Sequence, residues 1–271
     1  MIFPILSGIF SLIFMIAMLF PTIIVQLMAD DFAANGDVAF ELMEYLFIFL
    51  TYLGLAVIST FFNVCTVYIA KNRFEGQKAT VGNALGFAFK KFHIILLWGL
   101  LSATVGLILY LIEEIARGLG DAGRVILSFL RSALAFVWGI LVIFVVPSMV
   151  YYELTPFKAI KKSVETLKRT WGEHIVGRIG MGIIQFLVIV LAIILNVVLG
   201  IFVFVPLMGM LNGILLTIGL LVISVLIIVL FFNVAGKVYN TALFVYADTG
   251  KIPEGYSKKL LENSMKIDNQ V

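Results

Sequence analysis

Charge is scarce in this chain, and that scarcity excludes more than any motif does. Only 13% of the 271 residues are Asp, Glu, Lys or Arg, against roughly a quarter in a soluble globular domain. Cysteine is nearly absent: Cys65 alone excludes a disulfide framework and a thiolate metal cluster, and reads as a small apolar residue. Histidine occurs twice, as His93 and His174, each beginning an apolar run, so an interfacial imidazole is the simpler reading beside a converging metal or proton pair. There is no metalloprotease helix motif, no nucleophile elbow and no phosphate-binding glycine loop. Gly118-Leu119-Gly120-Asp121-Ala122-Gly123 is glycine-rich but follows no strand. Aromatic and basic residues do not interleave as they would in a nucleic-acid groove. No catalytic, cofactor or metal residues are expected, and an enzyme is not.

What remains is apolar sequence. The chain is 62% hydrophobic, with a mean hydropathy of +1.12. Crossing a hydrocarbon core of ~30 Å takes about 20 residues at 1.5 Å each. Runs at about 2–28, 45–70, 92–112, 125–150, 175–200 and 207–236 meet that length. The first has no positive leading segment and is too long for a signal-peptide core, so it reads as a retained span. No charge occurs between Arg178 and Lys237, and Pro206 with Gly209 marks where that interval turns. The expectation is an all-α polytopic membrane helix bundle: residues 1–250 form one six-span transmembrane domain, and 251–271 a polar cytoplasmic tail.

Positive charge fixes an orientation. With both termini cytoplasmic, 16 of the 19 bases fall in inside segments; Arg117 and Arg124 lie in an outside loop and Arg131 within a span. The outer segment 30–44 carries Asp30, Asp31, Asp37, Glu41 and Glu44 and no base. A cell (inner) membrane location is expected.

The segment 155–174 organises the rest. Thr155 suits an N-cap and Pro156 a first helical position. Phe157, Ile160, Val164, Leu167 and Trp171 recur on one helical face, while Lys158, Lys161, Lys162, Lys168 and Arg169 cover the remainder. The pattern predicts a cytoplasmic amphipathic surface helix, and Thr80–His93, with Lys90 and Lys91, predicts a second. These seven bases are the candidate contacts for anionic lipid headgroups.

Phe61-Phe62-Asn63-Val64 returns as Phe231-Phe232-Asn233-Val234, and Val67-Tyr68, Val150-Tyr151 and Val238-Tyr239 follow such stretches. A threefold parallel hairpin repeat, each unit a surface helix and two spans, accounts for this. Self-similarity of apolar composition is the alternative. Met1-Ile2-Phe3-Pro4-Ile5-Leu6-Ser7-Gly8, these hairpin ends, and Tyr239 to Ala247 followed by Gly250-Lys251-Ile252-Pro253-Glu254-Gly255-Tyr256 resemble a family of uncharacterised prokaryotic six-span membrane proteins. That family is similar to the membrane domain attached to some glycerophosphodiester phosphodiesterases. The resemblance covers most of the chain and implies no catalytic residue. Its members carry a polar, partly basic segment before Phe-Pro that this sequence lacks, which leaves open whether the true N-terminus lies upstream of Met1.

Within the spans, Arg131 is costly unless paired, and Glu113 or Glu114 is the candidate partner, with snorkelling as the alternative. Asn63, Asn196 and Asn233 are the candidates for a polar cavity, although such amides more often join helices. Gly99/Ala103, Ser102/Gly106 and Gly209/Gly213 are small-residue faces for close helix contact. The functional expectation is a non-enzymatic scaffold or lipid-organising accessory module. The alternative is a transporter for a small or lipid-like molecule. Membrane lipids, a membrane-protein partner or a second copy are the expected partners, and nucleic acid is not.

Overall fold

The computed structural model describes residues 2–33, 38–169 and 174–256, with side chains at 22, 25–41 and 169–180 left aside. Among the described residues all regular structure is helical. Six stretches are long and apolar enough to cross a membrane: Ile2–Pro21, Leu42–Phe74, Phe92–Arg117, Asp121–Tyr152, Met181–Met208 and Met210–Thr249. The chain divides into two compact units, Ile2–Arg169 and Thr170–Val271.

In the N-terminal unit α1 (Ile2–Ala33) packs along α2 (Val38–Phe74), which packs along α4 (Phe92–Arg117), which in turn packs along α5 (Asp121–Leu141). With no hydrophobic drive between helices in lipid, close approach depends on small residues. Gly99 provides one such contact, since a Cβ there would lie 2.5 Å from Val57 Cγ2 on α2. Ala103, a turn further on, is buried. The expected Gly99/Ala103 face is thus the seam between α4 and α2. Phe3, Phe61, Phe62, Val64, Val67, Ile95 and Val150 form the core at one end of this unit.

The fourth apolar run is broken. After α5 the chain turns through Val142, Ile143 and Phe144 and resumes as α6 (Val145–Tyr152). Pro147 explains the break: it has no N–H to give Ile143, and its ring would crowd that carbonyl in a continuous helix. At position three of a new helix the missing donor is harmless. The expected fourth span over 125–150 lies within the membrane-length stretch Asp121–Tyr152, whose helix is interrupted at Val142–Phe144. Two short helices complete the unit, α3 (Val81–Lys90) and α7 (Pro156–Arg169).

The C-terminal unit is a hairpin. α8 (His174–Leu199) runs into a π-helical turn at Gly200–Phe204, then α9 (Val205–Met208), then α10 (Met210–Thr249). Pro206 stands in the first turn of α9, and Gly209 reverses the chain at φ 80°. Gly213 is required on the return: a Cβ there would stand 2.6 Å from the Val205 Cα. Phe202, Leu207, Met210 and Leu211 are each more than 70% exposed around this turn, an apolar surface matched to hydrocarbon and not to water.

Candidate functional site

The basic end of the N-terminal unit is the most constrained polar region among the described residues. It is built on Tyr151-Tyr152-Glu153, where α6 stops. Glu153 takes a left-handed conformation, φ 52° and ψ 33°, uncommon for a residue with a Cβ. Each of the three residues engages a lysine from a different element. Lys71 Nζ, at the end of α2, lies 5.1 Å from the Tyr151 ring centre. Lys162 Nζ, on α7, lies 5.1 Å from the Tyr152 ring centre. Lys91, at the junction of α3 and α4, donates to the Glu153 carboxylate. That hydrogen bond, with Lys91's charge behind it, holds the Glu153 carboxyl below the usual range for glutamate. Lysine over a tyrosine face is worth about 0.5–1 kcal/mol where exposed, so the three contacts act as modest, cooperating clamps.

α7 docks by its small residues. Ala159, Ser163, Thr166 and Leu167 are buried. Ser163 repairs the break in the fourth span: its Oγ donates to Leu141 O (2.7 Å) and accepts from Phe144 N–H (3.1 Å). Those two groups are the ones the broken helix leaves over, because Ile143 N–H bonds to Ile140 O and Val145 N–H to Val142 O. This differs from the expected apolar face. Leu167 points into protein, but Phe157 is 74% exposed and Lys158, Lys161 and Lys168 are exposed with it. The reason is steric, since only small side chains let a helix backbone reach the broken segment. Trp171 and the Arg169 side chain lie outside the described residues.

α3 follows the same plan. Thr80 caps it, accepting from Asn83 N–H at 3.2 Å. Ala84 and Ala88 are fully buried, and Cys65 Sγ lies 3.6 Å from Ala84 O on the end of α2. Tyr68 stacks on Phe87 at 4.7 Å. Phe89 is 67% exposed and Lys90 is exposed, whereas Lys91 is spent on Glu153. The six candidate lipid-facing bases with described side chains therefore separate: Lys90, Lys158, Lys161 and Lys168 face outward, while Lys91 and Lys162 hold the protein to itself.

Elsewhere, Arg131 Nε on α5 lies 3.5 Å from Glu113 Oε2 on α4. Glu114 is taken instead by Arg117, one turn along its own helix, at 3.3 Å. The three asparagines lie in two units, Asn63 in one and Asn196 and Asn233 in the other. Asn63 belongs to the N-terminal unit, where its Oδ1 is buried without a hydrogen-bond partner. Asn196 donates to Ala192 O (2.8 Å) and Ser224 Oγ (3.2 Å), joining α8 to α10. Asn233 lines a cavity of about 370 Å³ between α8 and α10, together with Gln185, Lys237 and Asn240. His93 is exposed at the start of α4, and the His174 side chain lies outside the described residues. No group of three metal-ligating side chains occurs among the described residues.

Helices of membrane-crossing length and composition, with polar contacts concentrated at their ends, define a multi-pass α-helical membrane protein. The chain belongs to a family of unknown function, DUF6159, whose model matches residues 42–254. No curated protein and no solved structure matches it. The likeness to the membrane domain attached to some glycerophosphodiester phosphodiesterases rests on the sequence motifs alone, and the family match carries no link to those enzymes.

Proposed function

We propose that this protein is a non-enzymatic membrane module that organises anionic lipid at the cytoplasmic side of a cell membrane, with both termini on that side. One observation carries the reading. α7 is fastened to the protein by Ala159, Ser163 and Thr166, so that Phe157, Lys158, Lys161 and Lys168 all point away from it. An outward phenylalanine among outward lysines suits the boundary between acyl chains and headgroups, where each base near an anionic leaflet adds about 1 kcal/mol of attraction. α3 offers the same pairing in Phe89 and Lys90. The docking of α3 behind Val67-Tyr68 and of α7 behind Val150-Tyr151 supports a repeated plan of span, turn and surface helix. The resemblance to the membrane domain attached to some glycerophosphodiester phosphodiesterases supports an accessory role.

Electron spin resonance of the reconstituted protein tests this. Spin-labelled phosphatidylglycerol should be immobilised at the protein in preference to phosphatidylcholine, and high salt should reduce the preference. Replacing Lys158, Lys161 and Lys168 together by glutamine should abolish most of it. Equal immobilisation of the two lipids by the wild-type protein would end the proposal. A transporter is the second reading, favoured by the cavity in the C-terminal unit, in which Asn233 lies beside Gln185 and Lys237.

A further inference from the structure

The cavity between α8 and α10 contains a cation in a chain region otherwise almost devoid of charge. Lys237 is the first charged residue after Arg178, and among the described residues no carboxylate pairs with it. An ionisable side chain in a segment of this kind is expensive unless something neutralises it, which makes its missing counter-charge the question. Around it stand the amides of Gln185, Asn233 and Asn240. An ammonium has only donors, and each amide adds an NH₂. The set is therefore rich in hydrogen-bond donors and holds one positive charge.

Met181, Val229 and Phe232 add apolar surface to the lining. Two glycines keep the space open. A Cβ at Gly182 would meet nothing within 4 Å, and one at Gly236 only the Met181 sulfur at 3.9 Å. Neither glycine is explained by close packing, unlike Gly99 or Gly213. Each costs its helix roughly 0.5–1 kcal/mol relative to alanine. Glycines that face a void, beside a lysine without a carboxylate partner and three amides, line a cavity with both polar and apolar surface.

We propose that this cavity binds a phosphate anion, Lys237 supplying the counter-charge and Gln185, Asn233 and Asn240 the hydrogen bonds, with the apolar surface taking whatever the phosphate is attached to. Phosphate has more acceptor oxygens than a carboxylate and so uses more of these donors. The anion is a phospholipid headgroup or free phosphate; the chemistry recognised is the same. This goes beyond the proposed lipid contact of α7 and uses none of its residues.

Full-length protein in phosphatidylcholine nanodiscs is the test material. In one arm a minor share of phosphatidic acid is added, and native mass spectrometry counts the lipid that stays bound. In the other arm inorganic phosphate is titrated calorimetrically into discs of phosphatidylcholine alone. The wild-type protein should bind in at least one arm, and the arm identifies the source. Lys237→Met should weaken that binding about tenfold to a hundredfold, the usual size of a charge-assisted hydrogen bond. Gly236→Leu should weaken it as much by filling the space, which keeps the test alive if Lys237→Met fails to insert. Lys237→Arg should largely restore binding, and Arg124→Gln, exposed at the start of α5, should leave it unchanged. Binding in neither arm, unaltered binding by Gly236→Leu, or loss on Arg124→Gln overturns the assignment.

Discussion

Lys91 and Glu153 stand 62 residues apart in the chain, yet the ammonium of one donates directly to the carboxylate of the other. The contact ties the α3–α4 junction to the turn between α6 and α7. Tyr151 and Tyr152, immediately before Glu153, bind Lys71 and Lys162, so three neighbouring residues fasten three elements at one end of the unit. Lysines that would otherwise face solvent or headgroups are thereby used as internal fasteners.

The pair should show a pH dependence with a definite sign. Glu153 is held below its ordinary range by the Lys91 hydrogen bond, whereas an unfolded glutamate titrates near about 4.3. Its stabilisation is therefore complete above that value and is lost as pH falls through the lower folded value. The Glu153 side chain is 56% exposed, so screening limits the effect to about 0.2–1 kcal/mol. Glu153→Gln should lower the Tm slightly at pH 7, and the deficit should shrink as pH falls below about 4. A deficit that persists unchanged at pH 3 would place the cause elsewhere.

Ser163 predicts a larger loss. Ser163→Ala removes the hydroxyl that bridges Leu141 C=O and Phe144 N–H, at about 1–3 kcal/mol. The stacked pair Trp98 and Trp138, 5.9 Å apart beside this region, is a built-in fluorescence reporter of its unfolding. Lys161→Ala on the exposed face of the same helix should be nearly silent. If the two variants melt together, the hydroxyl bridge contributes nothing.

Arg131 and Glu113 should be energetically coupled. A cycle of Arg131→Met, Glu113→Gln and the double variant should give an interaction energy of about 0.5–3 kcal/mol, with Glu113→Gln the worse single change because it strands the arginine. Glu114→Gln should matter less, since Glu114 serves Arg117 on its own helix. Additive single effects would show that the two side chains are neighbours without being partners.

Orientation is open to direct labelling, because Cys65, the one native cysteine, is fully buried. An impermeant maleimide applied to intact cells should modify Gly120→Cys and spare Gln77→Cys and Lys161→Cys until the membrane is opened. Modification of Lys161→Cys from outside would invert the proposed topology.

Hydrophobic runs and turn residues were legible in the sequence because they act locally. Length and composition predict helices of membrane-crossing length, and Pro206 with Gly209 predicts the reversal between α9 and α10. Thr80 and Pro156 announce the two short helices. The break after Leu141 was equally visible in Pro147 but lay hidden within a continuously apolar run. The docked face of α7 was not legible, because periodicity weights large side chains, and contact here is made by Ala159, Ser163 and Thr166. Nor could the fate of each lysine be read. Whether a base faces outward or covers a tyrosine depends on tertiary contact, as between Lys71 and Tyr151, 80 residues apart. Nor could the surroundings of each asparagine be read, because identical side chains at repeated positions meet different neighbours.

α10 carries one further consequence. From Met210 to Gly236 it runs 27 residues without a charge, about 40 Å at 1.5 Å per residue. That exceeds the ~30 Å of a typical hydrocarbon layer. Such a helix leans, or thickens the lipid around it, until the mismatch is absorbed. Lys237 sits where the excess length ends, so the depth of its ammonium below the headgroups follows the acyl-chain length of the surrounding lipid. A change of lipid thickness should therefore change the surroundings of that one charge.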